Sequence, residues 1–137
     1  MTYVPAPLRQ RVIDRAGDRC EYCHYPQMAA LLAFEMEHII AEKHGGQTIL
    51  ANLALACPFC NRAKGSDLGS LDPETGQLTP FYHPREQQWT DHFRLVEAQI
   101  EPLTAEGRVT AAILQFNHPE RVSERQRLIA AGLYTSK

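Results

Sequence analysis

The chain has 137 residues, 44% of them hydrophobic and 22% charged, with a formal net charge of −2. That length suits one domain better than two independent cores, so residues 1–137 are read as a single unit. No apolar run approaches the roughly 18 residues of a membrane span. The N-terminal MTYVPAPLRQ lacks the charged-then-apolar layout of a secretory signal, which points to the cytoplasm and away from a membrane partner. The charge balance gives no support to a nucleic-acid partner, because dedicated binders are usually basic.

In chain order, Pro5 and Pro7 precede a helical pattern with Leu8, Val12, Ile13 and Ala16 on one side. Gly17 is placed to stop that helix, since glycine enters the left-handed conformation without steric cost. Residues 33–41 (AFEMEHIIA) read as a strand with imperfect alternation, Gly45 and Gly46 as a turn, and residues 53–56 (LALA) as a short buried strand. Pro58 suits the first position of a helix over CPFCNRAK that stops at Gly65. Residues 66–80 are turn-rich and predict a surface loop. Further on, residues 93–100 predict a strand, residues 109–116 fit either a helix or a strand, and residues 120–131 predict a helix ended by Gly132. The extension over residues 71–137 reads as an α/β scaffold packed on the first half.

The four cysteines form two C-x-x-C pairs, Cys20 with Cys23 and Cys57 with Cys60. Two intervening residues let both thiolates of a pair face one ion, and two pairs complete the tetrahedral set that holds structural zinc. The long stretch between the pairs is no obstacle, because loop-closure entropy grows slowly with length. Two rival readings exist. Cys20-Glu-Tyr-Cys23-His24 has the form of a haem-attachment site, which would require export. Cys57-Pro-Phe-Cys60 has the form of a redox motif, which has no need of a second pair and belongs in an alternating βαβ layout.

Between and after the pairs stand Glu37 and His38 near the end of the first strand, Asn52 at the start of the second, and Asn61 directly after Cys60. The run EMEHIIAEKHGGQTILANLALACPFCNRAKGSDL resembles the HNH endonuclease family: acid-His, a Gly-containing loop, Asn-Leu, then Cys-x-x-Cys-Asn and a nearby Lys. The likeness is tightest over residues 20–67, and FYHPREQQWTDHF in the tail resembles the C-terminal part of small standalone HNH proteins. The resemblance implies an α+β fold with a zinc-stapled, treble-clef-like ββα-metal core, preceded by the N-terminal helix and followed by the α/β extension. It implies that His38 is the general base, that Glu37 and Asn61 hold a catalytic divalent metal, and that Asn52 braces the loop and the histidine. Two departures from the family pattern are Glu37 where Asp is common and Asn61 where His is common.

Carboxylate and amide oxygens suit Mg²⁺ or Mn²⁺, while the four thiolates suit Zn²⁺. Lys64, one turn beyond Asn61, could hold a phosphate together with Arg62 or Lys43, and His44 is a reserve nitrogen ligand. The implied activity is metal-dependent hydrolysis of phosphodiester bonds in nucleic acid, DNA foremost, leaving 5′-phosphate and 3′-hydroxyl ends. The alternatives are a non-catalytic zinc module that binds nucleic acid or protein, and a thiol redox protein using Cys57 and Cys60. Arg11, Arg15 and Arg19, interleaved with Asp14 and Asp18, read as a solvated helix face. Trp89 and Phe93 read as core, and Arg85 is the tail residue best suited to approach a substrate. Oligomeric state is open.

Overall fold

The computed structural model describes residues 2–135. Helix α1 (Ala6–Ala16) opens with proline at its first turn and closes at Gly17, whose φ of +68° lets its N–H reach the Asp14 carbonyl. Strand β1 (Glu35–His38) pairs antiparallel with β2 (Leu53–Ala56), setting Glu37 opposite Ala54 and His38 opposite Leu53. The strand expected over residues 33–41 is therefore shorter, and its C-terminal limit has a specific cause. The Asn52 side chain takes both polar backbone groups of Ile40, accepting from its N–H at 2.9 Å and donating to its carbonyl at 3.0 Å, which removes Ile40 from the ladder. Helix α2 (Pro58–Lys64) follows β2 directly, with Cys57 as its N-cap and Pro58 at its first position. Both α1 and α2 pack on the hairpin, so β2 is buried along its whole length.

The second half departs further from expectation. Residues 66–80 are not a plain loop: β3 (Gly69–Leu71) and β4 (Leu78–Pro80) form an antiparallel hairpin whose tip holds the turn residues. Gly69 is required there, because a Cβ would lie 2.3 Å from the Thr79 carbonyl oxygen. The single strand expected over 93–100 is also a hairpin, β5 (Phe93–Val96) with β6 (Gln99–Pro102), preceded by the one-turn helix α3 (Trp89–His92). The ambiguous stretch at 109–116 is helical. Helix α4 (Ala105–Ile113) is capped by the Thr104 hydroxyl, which accepts from the Gly107 N–H at 3.1 Å. Helix α5 (Pro119–Ala130) ends before Gly132 at φ +71°. The fold is thus mixed α+β, with three two-stranded sheets among the described residues.

One apolar core runs from Val4 to Phe116 and joins the two halves. A file of rings marks the junction: Phe116 meets Phe93 at 5.5 Å between centroids, Phe93 meets Trp89 at 5.1 Å, and Trp89 stacks on His24 at 4.2 Å. Within the tail, the buried Arg125 donates to the carbonyls of Ala98 and Phe116 at 2.7 and 2.8 Å, fixing α5 against the β5–β6 turn.

The β3–β4 tip is held by Asp72, which is almost fully buried and accepts from Arg108 Nε and Nη2 at 3.0 and 2.8 Å. It also accepts from the Glu74 N–H and the Thr75 hydroxyl, each at 3.0 Å. Hydrogen bonds from Arg108, with smaller help from Glu74 and Thr75, hold the Asp72 carboxyl well below the ordinary carboxylate range against the opposing effect of burial. A carboxyl with a depressed pKa stabilises the fold above its unfolded value of about 3.9 and stops doing so as pH falls through the folded value. Asp72→Asn is expected to melt well below wild type at about pH 7, and the gap should narrow towards about pH 2. A gap unchanged over that range, measured by thermal melts, would remove the ion pair from the account.

Candidate active site and metal centre

Each cysteine pair is shaped by its own backbone. Cys20 to Cys23 form a tight turn in which the Cys23 N–H points at Cys20 Sγ at 3.5 Å, and His24 takes a φ of +64° to close it. In the other pair Cys57 Sγ accepts from the Cys60 N–H at 3.4 Å, as an N-cap side chain does. β2 leads into Cys57, and the Glu21 N–H donates to the Leu55 carbonyl at 2.8 Å, so pairing along β2 brings the two turns together. The four sulfurs lie within 4.8 Å of one another, all buried, with Cys23 and Cys57 Sγ 3.7 Å apart. Tetrahedral Zn–S bonds of about 2.3 Å space sulfurs by about 3.8 Å. The cluster thus fits zinc, and the sulfurs are too far apart for a disulfide.

Zn²⁺ with four thiolates carries a net double negative charge, and the tail supplies a counter-charge. Arg121 of α5 directs Nη2 at Cys60 and Cys57 Sγ, at 3.4 and 3.8 Å, while its Nη1 donates to the Leu114 and Gln115 carbonyls. Its guanidinium lies 5.4 Å from the Phe59 ring centroid and 6.0 Å from that of Phe116. Burial acts to lower the Arg121 pKa, but the thiolates of Cys23, Cys60 and Cys57 outweigh it and raise the pKa above its ordinary value. Other tail groups also close on the first turn: Trp89 Nε1 donates to the Tyr22 carbonyl and the Tyr134 hydroxyl to the Cys23 carbonyl, both at 2.8 Å. Arg85 forms an ion pair with Glu21 and is largely buried, so it packs on this turn rather than reaching outwards.

The second cluster lies where β1 ends. Glu37 is 4% exposed and both its oxygens are engaged: Oε1 accepts from the Tyr22 hydroxyl at 2.5 Å and Oε2 from Lys64 Nζ at 2.8 Å. Burial raises the Glu37 pKa, and Lys64 and Tyr22 oppose that shift without cancelling it. Lys64 is 2% exposed and also donates to the Ile39 carbonyl at 2.9 Å, so it lies beneath Glu37 rather than on an open helix face. His38 is half-buried, with Nε2 2.9 Å from the Thr48 hydroxyl. Asn52 anchors the loop between the strands, donating to the Gln47 carbonyl at 2.9 Å besides its two bonds to Ile40. Gly46 completes that loop, because a Cβ there would sit 1.7 Å from the Ile40 oxygen.

An open cleft of about 300 Å³ brings Glu37, His38 and Asn61 together, with Glu35, Glu42 and Ser66 on its walls. Asn61 is half-buried, and its side chain makes no hydrogen bond among the described residues. Asn52 and Lys64 do not line the cleft; they act on the backbone and the carboxylate that do. Glu35, Glu37 and Glu42 make the cleft negative, which attracts a cation and would repel a bare phosphate. Arg62, Lys43 and His44 are exposed, whereas Arg15 donates to the Leu50 and Leu53 carbonyls and Arg19 to that of Thr135.

Sequence reasoning missed Tyr22, Thr48, Glu35 and Arg121. Tyr22 had a usable signal, because a residue inside a C-x-x-C turn has its position set by the two flanking cysteines. Arg121 had none, since its partner cysteines are far away in the chain.

Residues 20–67 match the model of the HNH endonuclease family, a match that implies a nuclease-type function. No curated protein and no solved structure matches the chain. The thiolate cluster makes a direct prediction. Purified protein should hold about one zinc per chain, and Cys→Ser at any of the four positions should weaken or abolish retention. Arg121→Gln should still fold with zinc but hold it about tenfold less tightly in competition with a chelator, as loss of a group that supports the metal's ligands typically does. Well-folded protein without zinc, by metal analysis, would contradict this.

Proposed function

We propose that this chain is an endonuclease of HNH type that hydrolyses phosphodiester bonds in DNA with one catalytic Mg²⁺ or Mn²⁺. The observation that carries the reading is the cleft shared by Glu37, His38 and Asn61 on a hairpin–helix unit tied by four cysteines. We read that unit as the treble-clef-like ββα-metal core, and the continuous apolar core supports treating residues 1–137 as one domain. No helix among the described residues is long and apolar enough to cross a membrane. We assign the enzyme to the cytoplasm, where its four thiols stay reduced.

The donor set fits a hard divalent cation. Each Glu37 oxygen keeps a lone pair beyond its present hydrogen bond, and the Asn61 amide oxygen is uncommitted. Glu37 and Asn61 would hold such a cation, which would supply positive charge opposite the phosphate and the leaving oxygen. The remaining work belongs to the protein's own groups. His38 takes a proton from the attacking water as the water oxygen bonds to phosphorus and the P–O3′ bond breaks, and the departing 3′-oxygen takes a proton from solvent to become the 3′-hydroxyl. Thr48 occupies Nε2, so the proton-accepting nitrogen is Nδ1, which requires Nε2–H to donate to the Thr48 hydroxyl. Asn52 keeps the loop bearing Thr48 against the end of β1. Arg62 and Lys43, both exposed, are assigned to the DNA backbone, where point charges set affinity.

A plasmid-cleavage assay with Mg²⁺ or Mn²⁺ tests the reading. His38→Ala should lower the rate on the order of 10²–10⁴-fold while zinc content and melting temperature hold, because a general base acts in the transition state and supports no core. Cleavage by the variant at the wild-type rate would remove His38 from the mechanism. A wild type that binds DNA without cutting it would leave the non-catalytic module standing.

A further inference from the structure

The buried side of the cleft carries a second layer of organisation. Glu37 receives one hydrogen bond from each half of the cysteine staple: Tyr22 sits between Cys20 and Cys23, and Lys64 lies one turn beyond Cys60 on the same helix. Tyr22 is fully buried, so its hydroxyl has no access to water, and its hydrogen bond goes to the carboxylate. Lys64 Nζ bonds the Glu37 side chain and the Ile39 carbonyl, and therefore grips the residues on both sides of His38. To reach a phosphate, Lys64 would have to leave a nearly buried carboxylate without its counter-charge, which is strongly unfavourable.

We propose that Tyr22 and Lys64 are positioning residues that lock the Glu37 carboxylate in one orientation, so that affinity for the catalytic metal depends on a closed zinc staple. This rests on the proposed function in taking Glu37 as a ligand of that metal. Neither residue touches substrate. A carboxylate held by two fixed donors presents its remaining lone pairs in one direction, whereas a freed carboxylate must be ordered by the incoming ion.

The test uses the full zinc-loaded chain and two variants, Tyr22→Phe and Lys64→Gln. Mn²⁺ binding is read by electron paramagnetic resonance and cleavage is read separately. Tyr22→Phe keeps the ring in its core position and is expected to retain one zinc. Its Mn²⁺ half-saturation should rise by about tenfold, with much of the rate recovered at saturating Mn²⁺. A merely structural role would reduce the active fraction without moving the metal midpoint. Lys64→Gln should bind duplex DNA with the wild-type salt dependence, whereas loss of a phosphate contact would lower the slope by about one.

An unmoved Mn²⁺ midpoint in Tyr22→Phe overturns the proposal, as does a reduced salt slope in Lys64→Gln. If Lys64→Gln fails to fold, the Tyr22→Phe midpoint decides alone. A wild type that binds Mn²⁺ but does not cut defeats the nuclease reading while the midpoints still judge the clamp. A wild type that binds no Mn²⁺ defeats both.

Discussion

Four buried sulfurs within 4.8 Å of one another are tolerable as thiolates only around a cation, and most of the molecule is arranged to meet that condition. Two backbone N–H groups, from Cys23 and Cys60, point at sulfur, and Arg121 brings a positive charge to the side facing the tail. These donors come from three separate parts of the chain. Drawing them to one point fixes the first turn against β2, orients α2, and seats α5 over both.

The reactive cleft inherits its geometry from this arrangement. Adjacent residues of a regular strand face opposite ways, which would separate Glu37 from His38. The difficulty is resolved because β1 ends at His38 and the Asn52 side chain takes the backbone groups of Ile40 out of the ladder. Glu37 then turns inward between Tyr22 and Lys64, while His38 meets Thr48 from the loop, and both still border one cleft. No described residue of the tail lines that cleft. Its contacts through Trp89, Tyr134 and Arg121 converge on the cysteine turns, which gives the extension a mechanical place in the site.

What could be read from sequence follows the range of the interactions involved. The limits of α1, β2 and α2 were legible because proline and glycine punctuate them locally, as at Pro58 and Gly17. The pairing of cysteines and the grouping of Glu37, His38 and Asn61 were legible from spacing and family likeness. The length of β1 was not, since it is set by a side chain twelve residues away. The β3–β4 hairpin was hidden because its strands are three residues each, and the surrounding turn residues dominate the pattern. Lys64 was placed on the right helix but given an open face, because helical periodicity does not show which neighbours cover a side chain.

One cysteine cluster organises both the cleft and the tail. Hydrogen exchange on the reduced chain before and after zinc removal tests it most directly. The amides of Ile39 and Ile40 report the end of β1 through their bonds to Asn52, and that of Ile100 reports the tail through its bond to Asn117. The account predicts that removing zinc abolishes protection at all three together. A tail that keeps full protection at Ile100 while Ile39 and Ile40 exchange freely would contradict it.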